Sequence, residues 1–181
     1  ILAMEAKGDI VVGDVDVISK FSTISGVKQE SVGGLKSDGL IKTGEIKVIG
    51  EKKGSEVAKA KLVLDAGGDI ATGDSTTNDY KNITVKYGDL TATSTDGSIT
   101  FGDATDTTNP ALDVANGSAT ILAKNDIKAN GNIKIKDSDL YIKSQEGKVT
   151  FGEVTDTTNP ALSVVNGSAY VVAKDALTMN G

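Results

Sequence analysis

Asp103 with Asp106, and Glu153 with Asp156, are acidic pairs three residues apart, set in two nearly identical loops. Hard oxygen ligands at that density suit Ca²⁺, so these four residues are the candidate metal ligands. The same residue types also act as turn formers, bonding back to their own backbone next to Thr, Asn and Pro. The loops lack the Gly-Gly-x-Gly-x-Asp repeat of calcium-binding β-rolls. Both readings stay open, and apart from possible calcium no cofactor is expected.

Other chemistry finds less support. Paired carboxylates can cleave glycosides, and polysaccharide-cleaving enzymes on β-helices typically add a basic proton acceptor, yet all 19 basic residues here are Lys. A nucleophilic triad needs His or an equivalent base, and the chain has no His. Gly8-Asp9-Ile10-Val11-Val12-Gly13 lacks the Lys-Ser/Thr ending of a phosphate loop. Asn82-Ile83-Thr84, Asn116-Gly117-Ser118 and Asn166-Gly167-Ser168 are formal glycosylation sequons, but Asn-Gly is also a strong turn signal. The expectation is no enzyme and no catalytic residue.

The elements that must position these loops are repeats. Gly97–Gly131 and Gly147–Gly181 are copies at a constant offset of 50, with Thr105 to Leu112 identical to Thr155 to Leu162. A shorter signature, Gly-x-Ile/Val-x-x-Gly-Asp/Glu, starts at Gly8, Gly68, Gly97 and Gly147. The stretch 68–96 reads as a third, eroded copy, and its signature precedes the next at an offset of 29. The difference between 50 and 29 is 21, the length of Asp126 to Glu146, which reads as one inserted unit. Repeats of this size stack so that each buries its neighbour, and they point to a scaffold or binding surface.

Asn132-Ile133-Lys134-Ile135-Lys136 and Asp139-Leu140-Tyr141-Ile142-Lys143 alternate apolar with polar residues, the mark of strands with one wet face. Breaks carry Gly, Asn, Asp or Ser, residues suited to corners. The expected fold is all-β: one parallel β-helix over 1–181 with coils of about 21 residues, forming a rod of roughly 40 Å. Ile99, Phe101, Val149 and Phe151 are expected to point inward. Residues 19–57 depart from the pattern and suggest long loops or a hairpin leaving the stack.

Composition fits this reading. With 21 Gly, 2 Pro and 4% aromatics, the interior must be filled by small aliphatic residues. The absence of Cys excludes disulfides and is compatible with export. A net charge of −6 with dispersed Lys argues against nucleic acid. No apolar run is long enough for membrane insertion by a helix. The chain opens at Ile1 without Met and closes at Asn180-Gly181, which matches Asn130-Gly131, where another strand follows. This reads as a segment of a longer protein, with Leu177 and Met179 as inward residues of an uncovered last coil.

Lys7-Gly8-Asp9-Ile10, Gly68-Asp69-Ile70, Thr95-Asp96-Gly97-Ser98-Ile99-Thr100 and Asn125-Asp126-Ile127-Lys128-Ala129-Asn130-Gly131 resemble the repeats of filamentous-haemagglutinin-type exoproteins. The resemblance covers the chain from Gly68 onward, plus the stretch near Gly8. Asn109-Pro110-Ala111-Leu112-Asp113-Val114 is similar to passages of phage tail fibres. The first resemblance implies a right-handed β-helix in a large bacterial surface adhesin secreted by a two-partner route. The expected function is an extracellular structural or adhesive segment at the cell surface, partnered by a host or neighbouring-cell surface. The alternative is a self-assembling filament, surface-layer or tail-fibre subunit whose partners are copies of itself; a carbohydrate-active enzyme comes third.

Overall fold

The computed structural model describes residues 2–23, 26–74, 77, 79–106, 108–152 and 158–181. Every element among them is a strand. The first coil is β1 (Leu2–Ala6), β2 (Ile10–Val11) and β3 (Val15–Ile18), followed by an antiparallel hairpin of β4 (Lys20–Phe21) and β5 (Lys28–Gln29). The second is β6 (Ser31–Ser37), β7 (Ile41–Thr43) and β8 (Ile46–Ile49), followed by the hairpin β9 (Glu51–Lys53) and β10 (Glu56–Ala58). The third contains β11 (Ala60–Ala66), β12 (Ile70–Asp74), a short β13 (Asp79–Tyr80) that folds back on β12, and β14 (Ile83–Lys86).

The fourth coil is β15 (Gly88–Ser94), β16 (Ile99–Phe101) and β17 (Leu112–Ala115). The fifth is β18 (Ser118–Ala123), β19 (Ile127–Ala129) and β20 (Ile133–Lys136). The sixth is β21 (Asp139–Ser144), β22 (Val149–Phe151) and β23 (Leu162–Val165), and β24 (Ser168–Val172) with β25 (Leu177–Met179) begins a seventh.

Strands of successive coils pair in parallel to build three faces. The first face runs β1-β6-β11-β15-β18-β21-β24, the second β2-β7-β12-β16-β19-β22-β25 and the third β3-β8-β14-β17-β20-β23. This is a β-solenoid of about six turns. Inward positions line up as columns: Ile10, Ile41, Ile70, Ile99, Ile127 and Val149 follow one another up the second face. Val17, Val48, Val85, Val114 and Ile135 do so on the third. None of these is more than 5% exposed. β-branched side chains suit these rows because they are stiff and pack well on a pleated surface.

The coil length differs from the expected 21. Leu35 pairs with Leu64, Leu90 with Ala119 and Leu140 with Ala169, all at a sequence offset of 29, and in the first coil Met4 pairs with Leu35 at an offset of 31. One coil is short: Leu112 lies opposite Ile133 and Ala119 opposite Leu140, both at an offset of 21. The inserted unit is therefore a true coil, while its length is not the rule. The physical reason lies at the corner between the second and third faces. Three residues separate Ala129 from Ile133 in the short coil, but ten separate Phe101 from Leu112 in the fourth. Intervals such as Ile99 to Ile121 join different faces, since Ile99 pairs with Ile127 and Ile121 with Ile142. Fewer coils make a shorter rod: seven strands on the first face, about 4.8 Å apart, span roughly 30 Å, not 40 Å.

Within 19–57 the hairpins are present, but β6 to β8 form a regular coil between them. Ile99, Phe101, Val149 and Phe151 are buried as expected. Phe101 and Phe151 occupy matching places, paired with Ala129 and Met179. Leu177 and Met179 continue the inner columns opposite Val149 and Phe151, and each is 47% exposed because no described strand covers β25.

Corners between the first and second faces share a clamp. Buried Ser37, Ser94 and Ser144 donate their hydroxyls to the carbonyls of Gly8, Gly68 and Asn125, and accept from the N–H groups of Gly39, Gly97 and Gly147. Asp9, Asp69 and Asp126 accept from the backbone N–H of Leu40, Ser98 and Lys148 in the next coil. A buried hydroxyl satisfied on both sides avoids the cost of an unpaired polar group.

Candidate functional site

The loop carrying Asp103 and Asp106 rises from the corner between the second and third faces. Asp106 is its hub. Its Oδ1 accepts from the backbone N–H of Thr108 and Asn109 at 3.0 and 2.9 Å. Its Oδ2 accepts from the amides of Asn109 and Asn82, each at 3.0 Å. Asn82 belongs to the coil below, and its side-chain Oδ1 accepts from the backbone N–H of Asp103 at 2.9 Å, so the loop is tied across two coils. This use of Asn82 also explains one of the sequons.

Asp103 Oδ1 accepts from the hydroxyl and the backbone N–H of Thr105 at 2.6 and 2.8 Å. Those bonds, the hydroxyl's first, hold the Asp103 carboxyl below the usual range. Asp106 is likewise lowered, chiefly by the Asn109 backbone N–H and then its amide. Hydrogen bonds to the charged form favour that form. Both carboxylates thus act as turn clamps. Glu153 and Asp156 lie outside the described residues. Among the described residues no three His, Cys, Asp or Glu side chains gather as a metal site would require.

A second feature lies at the opposite corner, between the third and first faces. From the third coil on, the chain turns here in one or two residues, and the turning residue has a left-handed backbone: Tyr87 (φ 48°), Asn116 (55°), Asp137 (51°) and Asn166 (51°). Register places these four in one column, each directly after the paired strand ends Lys86, Ala115, Lys136 and Val165. Beside them runs a second column on the first face: Asp89, Ser118, Asp139 and Ser168. Ser118 donates to Asp89 Oδ1 at 2.7 Å, and Ser168 donates to Asp139 Oδ1 at 2.5 Å.

The β9–β10 hairpin supplies Lys52 and Val57, and Lys59 follows it, so these residues wall one end of a groove of about 600 Å³ that runs along the corner. Lys59 Nζ lies 3.7 Å from Asp89 Oδ2. Sequence reasoning missed this groove, because Lys52, Tyr87 and Asp139 are far apart in the chain. A signal did exist: Tyr87-Gly88-Asp89, Asn116-Gly117-Ser118, Asp137-Ser138-Asp139 and Asn166-Gly167-Ser168 are one corner written four times.

The arrangement offers carboxylates, amides, hydroxyls and ammonium groups to a ligand lying along the rod. No His stands near a nucleophile, since the chain has none. No family model, curated protein or solved structure matches this chain.

Proposed function

We propose that this chain is an extracellular structural and adhesive segment of a bacterial surface filament or exoprotein, a stiff spacer that carries contact surfaces on its corners. The observation that supports this reading is the pairing of strands on all three faces without a break, across coils whose corners differ widely in length. Each coil is buried by its neighbours, so the stack behaves as one stiff body, and corners can vary without disturbing the core. A rod of this kind holds groups at fixed distance and orientation.

The test is surface display. Intact cells that produce the chain, stained with an antibody raised against it, should label without permeabilisation, and beads coated with the folded chain should adhere to cell monolayers. Labelling only after permeabilisation, with no adhesion by the beads, refutes the reading.

A further inference from the structure

We propose that the groove between the third and first faces is a binding site for a neutral oligosaccharide, a strand of linked hexoses lying along the rod axis. It rests on the adhesive reading for its biological setting only, since the groove can be tested on the isolated chain.

Shape comes first. The groove's volume of about 600 Å³ lies within the range of ligand sites. It follows one corner through four coils, so it suits an elongated ligand.

Chemistry narrows the class. The lining is mainly polar, so an apolar ligand would strip water from carboxylates and amides without replacing their hydrogen bonds. Charge argues against an anionic polymer: Asp89, Asp137 and Asp139 outnumber Lys52 and Lys59, and Lys59 already faces Asp89. A hydroxyl-rich neutral ligand fits both conditions. It donates to carboxylates and accepts from ammonium groups.

Spacing agrees. Asp89 and Asp139 are equivalent positions two coils apart, each with Oδ1 engaged by a serine; Asp139 Oδ2 is left as an acceptor, while Asp89 Oδ2 faces Lys59 Nζ, so a sugar hydroxyl there would meet both charges. Two coils rise roughly 9.6 Å, close to the length of a disaccharide.

The backbone supplies an independent observation. A left-handed residue costs little when it is Asn or Asp, as at Asn116, Asp137 and Asn166, and a bulky residue there is a genuine outlier. Tyr87 is that outlier, with φ 48°, and it lines the groove beside Asp89. Strain of this kind persists where the surrounding structure enforces it, and it clusters at functional sites. An aromatic ring beside a row of hydrogen-bonding groups can stack on the apolar face of a sugar while its neighbours take the hydroxyls.

The experiment is isothermal titration of the isolated chain with four probes: the β-1,4-linked glucose hexamer, the N-acetylglucosamine hexamer, cellobiose and a galacturonic acid hexamer. At least one neutral hexamer should bind, with cellobiose and the galacturonate hexamer at least about tenfold weaker. Tyr87→Asn keeps the left-handed backbone and removes the ring; Asp139→Asn keeps the shape and removes the charge. Each should weaken hexamer binding about tenfold, with the melting temperature unchanged or raised. Tyr141→Thr, on the flat first face away from the groove, should bind as the parent does. Absence of saturable binding by a chain that melts normally overturns the proposal, as does a preference for galacturonate or binding indifferent to both groove variants. Those results leave the spacer reading standing, because surface display tests it separately.

Discussion

Replacing Asp106 with Ala tests what the repeated loop is built for. The carboxylate accepts four hydrogen bonds, two from backbone N–H groups and two from the amides of Asn109 and Asn82. The geometry matches that of a capping Asp, whose removal costs about 1–2 kcal/mol. For a chain of 181 residues each kcal/mol moves the melting midpoint by about 2–4 °C, so Asp106→Ala should lower it by roughly 2–8 °C. Thermal melts followed by circular dichroism in EDTA and in millimolar CaCl₂ are the assay. Turn clamps give the same drop in both buffers.

The pH dependence has a fixed sign. Asp106 has a lowered folded-state pKa, so its contribution is present above the ordinary Asp range and is lost as pH falls through the depressed value. The difference between parent and variant should therefore hold at neutral pH and close in acid. A parent whose midpoint rises several degrees with calcium, and a variant that has lost that rise, would refute the clamp and make Asp103 and Asp106 metal ligands.

Three further outcomes follow from packing. Phe101→Ala and Phe151→Ala should each cost about 3–5 kcal/mol in chemical denaturation, since both rings are fully buried in equivalent coil positions; a loss below about 1 kcal/mol in either would contradict the register. Gly34→Ala should be neutral or slightly stabilising, because a Cβ there meets nothing within 4 Å, whereas Gly117→Ala should destabilise strongly, because its Cβ would sit 2.1 Å from the Gly88 carbonyl oxygen. Tyr87→Asn should stabilise the chain by about 1 kcal/mol through relief of the left-handed backbone, and a melting midpoint lowered by that variant would show that the ring holds the corner together.

Much of the fold can be read from alternation. Ile133, Ile135, Leu140 and Ile142 stand between polar residues, and the structure buries all four. The coil length is harder to read, because strands of different faces share the same alternation and an interval between two apolar residues does not say whether they stack. The offset of 50 joins a long coil and a short one, and it conceals both. The serine clamps are hidden for a related reason: Ser94 and Ser144 look like turn residues, yet they are the last inward positions of their strands. In the candidate site, the identity of the two loops pointed to Asp103 and Asp106, but their residue types fit ligand and clamp equally well. The donors around Asp106 give the clamp its hydrogen bonds, and one of them, Asn82, comes from another coil.

Inner columns and corners divide the work of the solenoid in a way that follows from its geometry. An inner column tolerates no change of register, since a shift by one residue would turn its apolar row outward. A corner has no such restriction. On the third face Ile46 meets Ile83 at a sequence offset of 37 and Leu112 meets Ile133 at one of 21, yet both pairs lie in the same sheet. Residues can therefore be added, copied or exchanged at corners while the core stays fixed. Stacking then sets residues from distant parts of the sequence one above another at the strand spacing of about 4.8 Å. The column Tyr87, Asn116, Asp137 and Asn166 shows the consequence: three residues suited to a left-handed turn and one that is not. The ladders on either side hold Tyr87 in place, with Lys86 paired to Ile49 and Ala115, and Asp89 to Lys61 and Ser118. A stack this continuous supports a locally unfavourable backbone at a corner, and Tyr87, held there, lines the groove.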